Sequence, residues 1–150
     1  MTQQESDRIE QLLAGPCWVL DFLPVRVPAD SPGQFFAVER YYRGASRMKD
    51  FRRRAADVLL KLNCYAGFRV FRGEEAADDP PPAALAELIT DSRKPLLILV
   101  GAEDCLITLD PGDLYVSVYC PSEFLLSLLA PLAAASGLFL RKGAGWDEEG

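Results

Sequence analysis

Residues 105–120 read CLITLDPGDLYVSVYC, and this stretch decides the fold class. Two alternating runs, 105–109 and 114–120, flank Asp110-Pro111-Gly112-Asp113, a tetrapeptide typical of tight turns. The pattern therefore predicts a β-hairpin. Side chains alternate along a strand, so the second run is predicted to present two faces. One face carries Leu114, Val116, Val118 and Cys120, and the other carries Tyr115, Ser117 and Tyr119.

Outward from the hairpin, the chain alternates between helix-like and strand-like segments. The continuous apolar run 95–100 predicts a strand buried on both faces. An apolar stripe predicts an amphipathic helix over 46–63; its members are Met48, Phe51, Ala55, Val58 and Leu62. The other predicted helices are 2–14, 32–43, 81–92 and a segment from 121 to about 136, and the other predicted strands are 17–23, 67–72 and 138–141.

Two stretches without apolar periodicity complete the prediction. Ser31-Pro32-Gly33-Gln34 is expected to begin the helix at 32–43, with Ser31 as its cap and Gln34 completing a capping box. The acidic, proline-rich segment 74–82 (EEAADDPPP follows the glycine at 73) is expected to be a loop.

Together these segments predict an α+β fold in the order α-β-α-α-β-α-β-β-β-α-β. We expect a single-layer mixed, mostly antiparallel sheet of five to six strands, with helices packed mainly on one face. The chain has 150 residues, the usual length of one domain. We therefore expect a single globular domain over 1–150, with a flexible tail over about 143–150.

Composition narrows the chemistry that the chain can perform. It contains no histidine, which excludes Ser-His-Asp and Cys-His nucleophiles and histidine-based metal sites. The four cysteines lie at least fifteen residues apart, so there is no CxxC ligand pair. Neither a GxGxxG nor a GxxxxGK[ST] phosphate loop occurs. We expect no metal site, no cofactor and no recognisable catalytic motif.

The chain is also expected to be soluble, cytoplasmic and without a membrane segment. Residues 1–10 are polar and carry acidic side chains, unlike a signal peptide. The longest apolar stretch, 124–140, is interrupted by Pro131 and Gly137 and is short for a membrane span.

The sharpest functional candidate is a basic segment. Between Arg40 and Lys61 lie eight basic and two acidic residues, a charge of +6, although the whole chain carries −6. Its candidate anion- or partner-binding residues are Arg40, Arg43, Arg47, Arg52, Arg53 and Arg54. One interpretation is that they bind a polyanion, and the other is that they form a solvated helix face paired with acidic side chains. The acidic overall charge makes nucleic acid an unfavoured partner.

Tyrosines and carboxylates provide the remaining candidates. Tyr41, Tyr42, Tyr115 and Tyr119 are candidate interface or groove residues, with Trp146 as a further member of an aromatic patch. For Tyr115 and Tyr119 the alternative is the half-exposed face of an ordinary strand. The candidate carboxylates are Asp21, Glu103 and Asp104, and Arg26 or an arginine of the basic helix is the expected partner of Asp21.

The leading functional hypothesis is a small binding or regulatory protein that acts through a protein–protein surface, either toward another protein or as a homodimer. A second hypothesis is a histidine-free enzyme that uses carboxylate, tyrosine and arginine side chains. The third is a binder of polyanions or nucleic acid through the basic helix over 40–61.

Overall fold

The structure is a computed structural model that describes residues 1–91, 93–101 and 104–143. Within these residues the chain forms five helices and seven strands, so the prediction of an α+β fold is confirmed. The helices are α1 (Gln3–Leu13), α2 (Phe35–Tyr42), α3 (Ala45–Leu62), α4 (Pro82–Thr90) and α5 (Glu123–Ala135). The strands are β1 (Cys17–Asp21), β2 (Phe68–Arg72), β3 (Glu75–Asp78), β4 (Leu96–Val100), β5 (Cys105–Leu109), β6 (Tyr115–Tyr119) and β7 (Phe139–Lys142).

The seven strands form one sheet in the order β3-β2-β4-β5-β6-β1-β7. All six neighbouring pairs are antiparallel, so the sheet is wholly rather than mostly antiparallel, and it has seven strands instead of the predicted five to six. The predicted hairpin is the β5–β6 pair, in which Ile107 lies opposite Val118.

The additional strand is β3, which the sequence prediction assigned to a loop. It pairs with β2 through a two-residue connection, Gly73-Glu74, in which Gly73 has a φ of +60°. Such a φ is typical of tight hairpin turns. The Arg69 guanidinium on β2 also donates to the Asp78 carboxylate at 2.9 Å. Main-chain pairing at the edge of the sheet thus outweighs the low strand propensity of an acidic segment.

Two layers of apolar side chains enclose the sheet. The larger cluster lies between one face and α3, α4 and α5, and it contains the whole predicted stripe of α3. The smaller cluster lies under α1 on the opposite face, where Ile9 and Leu12 pack against Phe71 and Leu106. This arrangement agrees with the predicted placement of helices mainly on one face. Leu13, also on α1, is exposed.

Two local predictions were wrong for identifiable reasons. The Ser31 hydroxyl accepts the Gly33 N–H at 3.3 Å and forms a local turn, so α2 begins only at Phe35. Gln34 is its N-cap and makes no side-chain capping bond. Cys120 has a φ of +58°, which takes its side chain out of the strand alternation and into the smaller cluster.

No helix within the described ranges is long and apolar enough to cross a membrane.

Candidate functional site

Helix α2 is rich in apolar side chains but does not bury them in the core. Its sequence, FFAVERYY, is rich in aromatic side chains, yet none of its residues is buried. Apolar positions lie on every side of this short helix, so no rotation about its axis could bury them all. Phe36 is 75% exposed and Tyr41 is 58% exposed. The exposed side chains Phe36, Val38, Arg40, Tyr41, Tyr42 and Arg47 together form what we call the α2 surface.

Contacts with β1 and α3 hold this surface in place. The Tyr42 ring lies 5.3 Å from the Phe22 ring, just beyond β1, and 5.3 Å from the Tyr41 ring. Arg47, in the first turn of α3, donates to the Tyr41 hydroxyl at 2.8 Å. Its guanidinium carbon also lies 5.2 Å from the centre of the Tyr41 ring, a cation–π distance. The aromatic side chains are therefore oriented before any partner binds.

The charges on this surface are only partly compensated. In the described part of the chain, no carboxylate lies within 4.0 Å of the Arg40 or Arg47 guanidinium. Arg43, just beyond α2, lies 3.5 Å from the Glu39 carboxylate. The α2 surface thus combines exposed aromatic side chains with two arginines that form no ion pair among the described residues.

The remaining arginines of the basic segment lie elsewhere. Arg53 and Arg54 share the Asp50 carboxylate, at 3.8 and 3.0 Å, and Arg54 also donates to the Ser136 carbonyl at 3.1 Å. These contacts agree with the interpretation in which the arginines form a solvated helix face paired with acidic side chains. The structure therefore does not bring all six candidate arginines into one exposed patch.

Arg52 is buried, with only 1% of its surface exposed. Its Nη1 donates to the Ile89 carbonyl at 3.3 Å and its Nη2 to the Asp110 carbonyl at 2.8 Å. The signal for this burial was present in the sequence, because position 52 lies four residues after Met48 and three before Ala55. All three positions share one side of the helix.

Tyr115 and Tyr119 do not belong to the α2 surface. Both lie on the face of β6 opposite Val116 and Val118, which pack with α3. Tyr115 is exposed, whereas Tyr119 packs at the edge of the α1 cluster. Burial raises the pKa of both phenols above its ordinary value, so both stay protonated at neutral pH.

Two of the three candidate carboxylates, Asp21 and Asp104, are paired with arginines. Asp21 is buried and accepts from Arg141 on β7 at 2.7 Å, so neither Arg26 nor the basic helix supplies its partner. Asp104 is exposed and pairs with Arg8. Contacts of this kind are typical of carboxylates with a structural role. Glu103 lies outside the described residues.

Most of the predicted tail, residues 144–150, lies outside the described part of the chain, and this range includes the candidate Trp146. Gly143, where that tail was predicted to begin, donates its N–H to the Cys17 carbonyl at 2.8 Å.

Comparisons with known proteins give no second route to a function. No protein-family model, curated protein or solved structure matches the chain. Among the residues that the structure describes, no group of three or more cysteine, aspartate or glutamate side chains could hold a metal ion. The α2 surface is therefore the feature from which a function is best argued.

Proposed function

We propose that this protein is a binding protein whose interface is the α2 surface and whose partner is a protein with an acidic surface. The observation that carries the proposal is that α2, despite its aromatic sequence, buries none of its residues. Large exposed apolar patches on folded proteins commonly mark interaction surfaces.

The composition of the α2 surface supports this role. Tyrosine and arginine are enriched among the residues that contribute most to protein–protein affinity. Burying one large apolar side chain contributes about 1.5–3 kcal/mol of favourable free energy. Because Arg47 already orients Tyr41, little side-chain entropy would be lost when a partner binds.

Charge favours an acidic partner over a second copy of the chain. A two-fold dimer places the same patch of both subunits together. Arg40 and Arg47 would then face the arginines of the other copy, and like charges in an interface oppose association. A partner with carboxylates would compensate both guanidiniums. The homodimer predicted as one form of the binding protein is thus disfavoured at this surface.

Site-specific photo-crosslinking in the native host tests the proposal. Benzoylphenylalanine replaces Tyr41 in one variant and Tyr65 in a matched control. The two tyrosines are 58% and 60% exposed, and they lie beyond opposite ends of α3. That helix has 18 residues and spans about 27 Å.

We expect a discrete crosslinked protein from position 41 that is absent from position 65, and mass spectrometry should identify a partner with an acidic surface. The same products from both positions, or none from position 41, would refute an interface on α2. A crosslink between two copies of this chain would show that the α2 surface mediates self-association, which would overturn the proposal of an acidic partner.

A further inference from the structure

A cleft of about 420 Å³ opens where the start of α3, the end of α4 and the β5–β6 turn meet. Its polar side chains are Arg43 and Lys49 on one side and Thr90, Asp91 and Arg93 on another, and the turn contributes Gly112. The volume lies within the range of small-molecule sites. These residues are far apart in the sequence, which is why no sequence pattern indicated the cleft.

The lining carries three cations and one carboxylate. The carboxylate, Asp91, already accepts from Arg93 at 3.0 Å and from Arg72 at 2.8 Å, and these bonds, chiefly those from Arg93, hold its pKa well below the usual range. Lys49 has no carboxylate within 4.0 Å among the described residues. The lining side chains sum to +2, and the Glu39 carboxylate, 3.5 Å from Arg43, reduces the net positive charge at the cleft to one.

Buried Arg52 adds a further positive charge behind this wall. The two carbonyls that it binds, at Ile89 and Asp110, belong to the same elements that form the cleft. Within the described ranges, no carboxylate lies within 4.0 Å of its guanidinium and its Nε has no hydrogen-bond partner, although the carboxylates of Asp113, Asp110 and Asp91 act on it from further away. Buried charges are normally paired, because desolvation costs several kcal/mol. An anion in the cleft would offset that cost.

Two other features limit what could bind. Ala45 and Met48 form an apolar part of the wall, suited to a carbon skeleton. Asp110 and Asp113 flank the tip of the turn and oppose an anion. The pKa of the Asp113 carboxyl lies above its usual value, mainly because the group is partly buried.

We propose that this cleft binds a small phosphate monoester, with its phosphate at Arg43, Lys49 and Arg93 and its carbon part against Ala45 and Met48. A phosphate monoester carries about −1.5 to −2 charges at pH 7 and three acceptor oxygens, which match the three lining cations. The site shares no residue with the α2 surface, so it goes beyond the proposed function.

Calorimetric titration of the intact protein tests this site, with phenyl phosphate and inorganic phosphate as probes. Sodium chloride of equal ionic strength controls for screening. Lys49→Gln removes a lining charge, and Lys61→Gln removes an exposed charge at the far end of the same helix as the matched control. Circular dichroism checks that both variants fold.

We expect phenyl phosphate to bind more tightly than inorganic phosphate, and Lys49→Gln to weaken binding by about tenfold. Lys61→Gln should leave the affinity unchanged, and Asp113→Asn should increase it because a repelling carboxylate is removed. Tyr41→Ala should have no effect, which separates this site from the α2 surface. No binding beyond the chloride control, or an equal loss in both lysine variants, would overturn the proposal.

Discussion

At the scale of single residues, the guanidinium of Arg52 connects three elements of the fold. It spans from α3 to the carbonyl of Ile89 on α4 and to the carbonyl of Asp110 in the β5–β6 turn. Its burial also removes it from any surface that the neighbouring Arg53 and Arg54 could form. One side chain thus contributes packing volume, two hydrogen bonds and a desolvated charge.

Arg52→Ala should therefore lower the free energy of unfolding by about 3 kcal/mol, because it leaves a cavity and removes a hydrogen bond from each of two carbonyls. Arg52→Met keeps most of the volume and removes the desolvated charge, so it should cost less than the alanine variant. Urea denaturation measures both. An alanine variant as stable as the wild type would show that Arg52 does not connect these elements.

Gly15 is required by a close approach rather than by its conformation. A Cβ atom at this position would clash with the Sγ of Cys120. Gly15→Ala should therefore destabilise the fold by about 1–3 kcal/mol through overpacking. Cys120→Ala should relieve most of this cost in the double variant. Thermal unfolding of the four proteins in the cycle measures the coupling, and strictly additive losses would contradict the contact.

At the scale of elements, α1 is attached to the sheet by charged groups as well as by its apolar side. Thr2 and Glu5 form a capping box, in which the Glu5 carboxylate accepts the Thr2 N–H at 2.9 Å. The same carboxylate accepts from Arg69 on β2. Two hydrogen bonds lower the pKa of the Glu5 carboxyl from 4.5 to about 2. The larger effect comes from the Thr2 backbone N–H, and the next largest comes from the Arg69 guanidinium.

This shift predicts the pH dependence of stability. Because the pKa is lower in the folded state, ionised Glu5 stabilises the fold fully above pH 4.5, and that contribution is lost as the pH falls toward 2. Glu5→Gln should therefore be less stable than the wild type at pH 6, and the difference should shrink at pH 3. Urea midpoints at both pH values measure it. Glu10→Gln on the exposed side of α1 is the control, and a difference of the same size at both pH values would contradict the linkage.

Some of the helices and strands could be predicted from the sequence, and others could not. The hairpin and α3 were predictable because their periods of 2 and 3.6 agree with their turn residues and apolar positions. Strand β3 was not, because pairing with the edge of β2 stabilises a segment whose own residues favour a loop. The start of α2 was misplaced because the Ser31 hydroxyl bonds to Gly33 within a turn rather than to a helix N-terminus.

At the scale of the whole molecule, the candidate surfaces depend on contacts that sequence patterns do not encode. The sequence indicated the basic segment, and its helical period could have placed Arg52 on the buried side of α3, but only the fold brings Arg40 and Arg47 to the α2 surface. The phosphate cleft joins Lys49 to Arg93 and Gly112, which come from three separate elements. Sequence periodicity describes one element at a time, so it could not bring these residues together.

Reversing a charge on the α2 surface tests whether this surface binds an acidic protein. Calorimetry with the purified partner that crosslinks to position 41 compares the wild type with Arg47→Glu and Lys61→Glu. Both variants change the charge equally at exposed positions of α3. We predict that Arg47→Glu weakens binding at least about tenfold and that Lys61→Glu does not change it beyond a small long-range effect. Equal losses in both variants, or no loss in Arg47→Glu, would contradict the account.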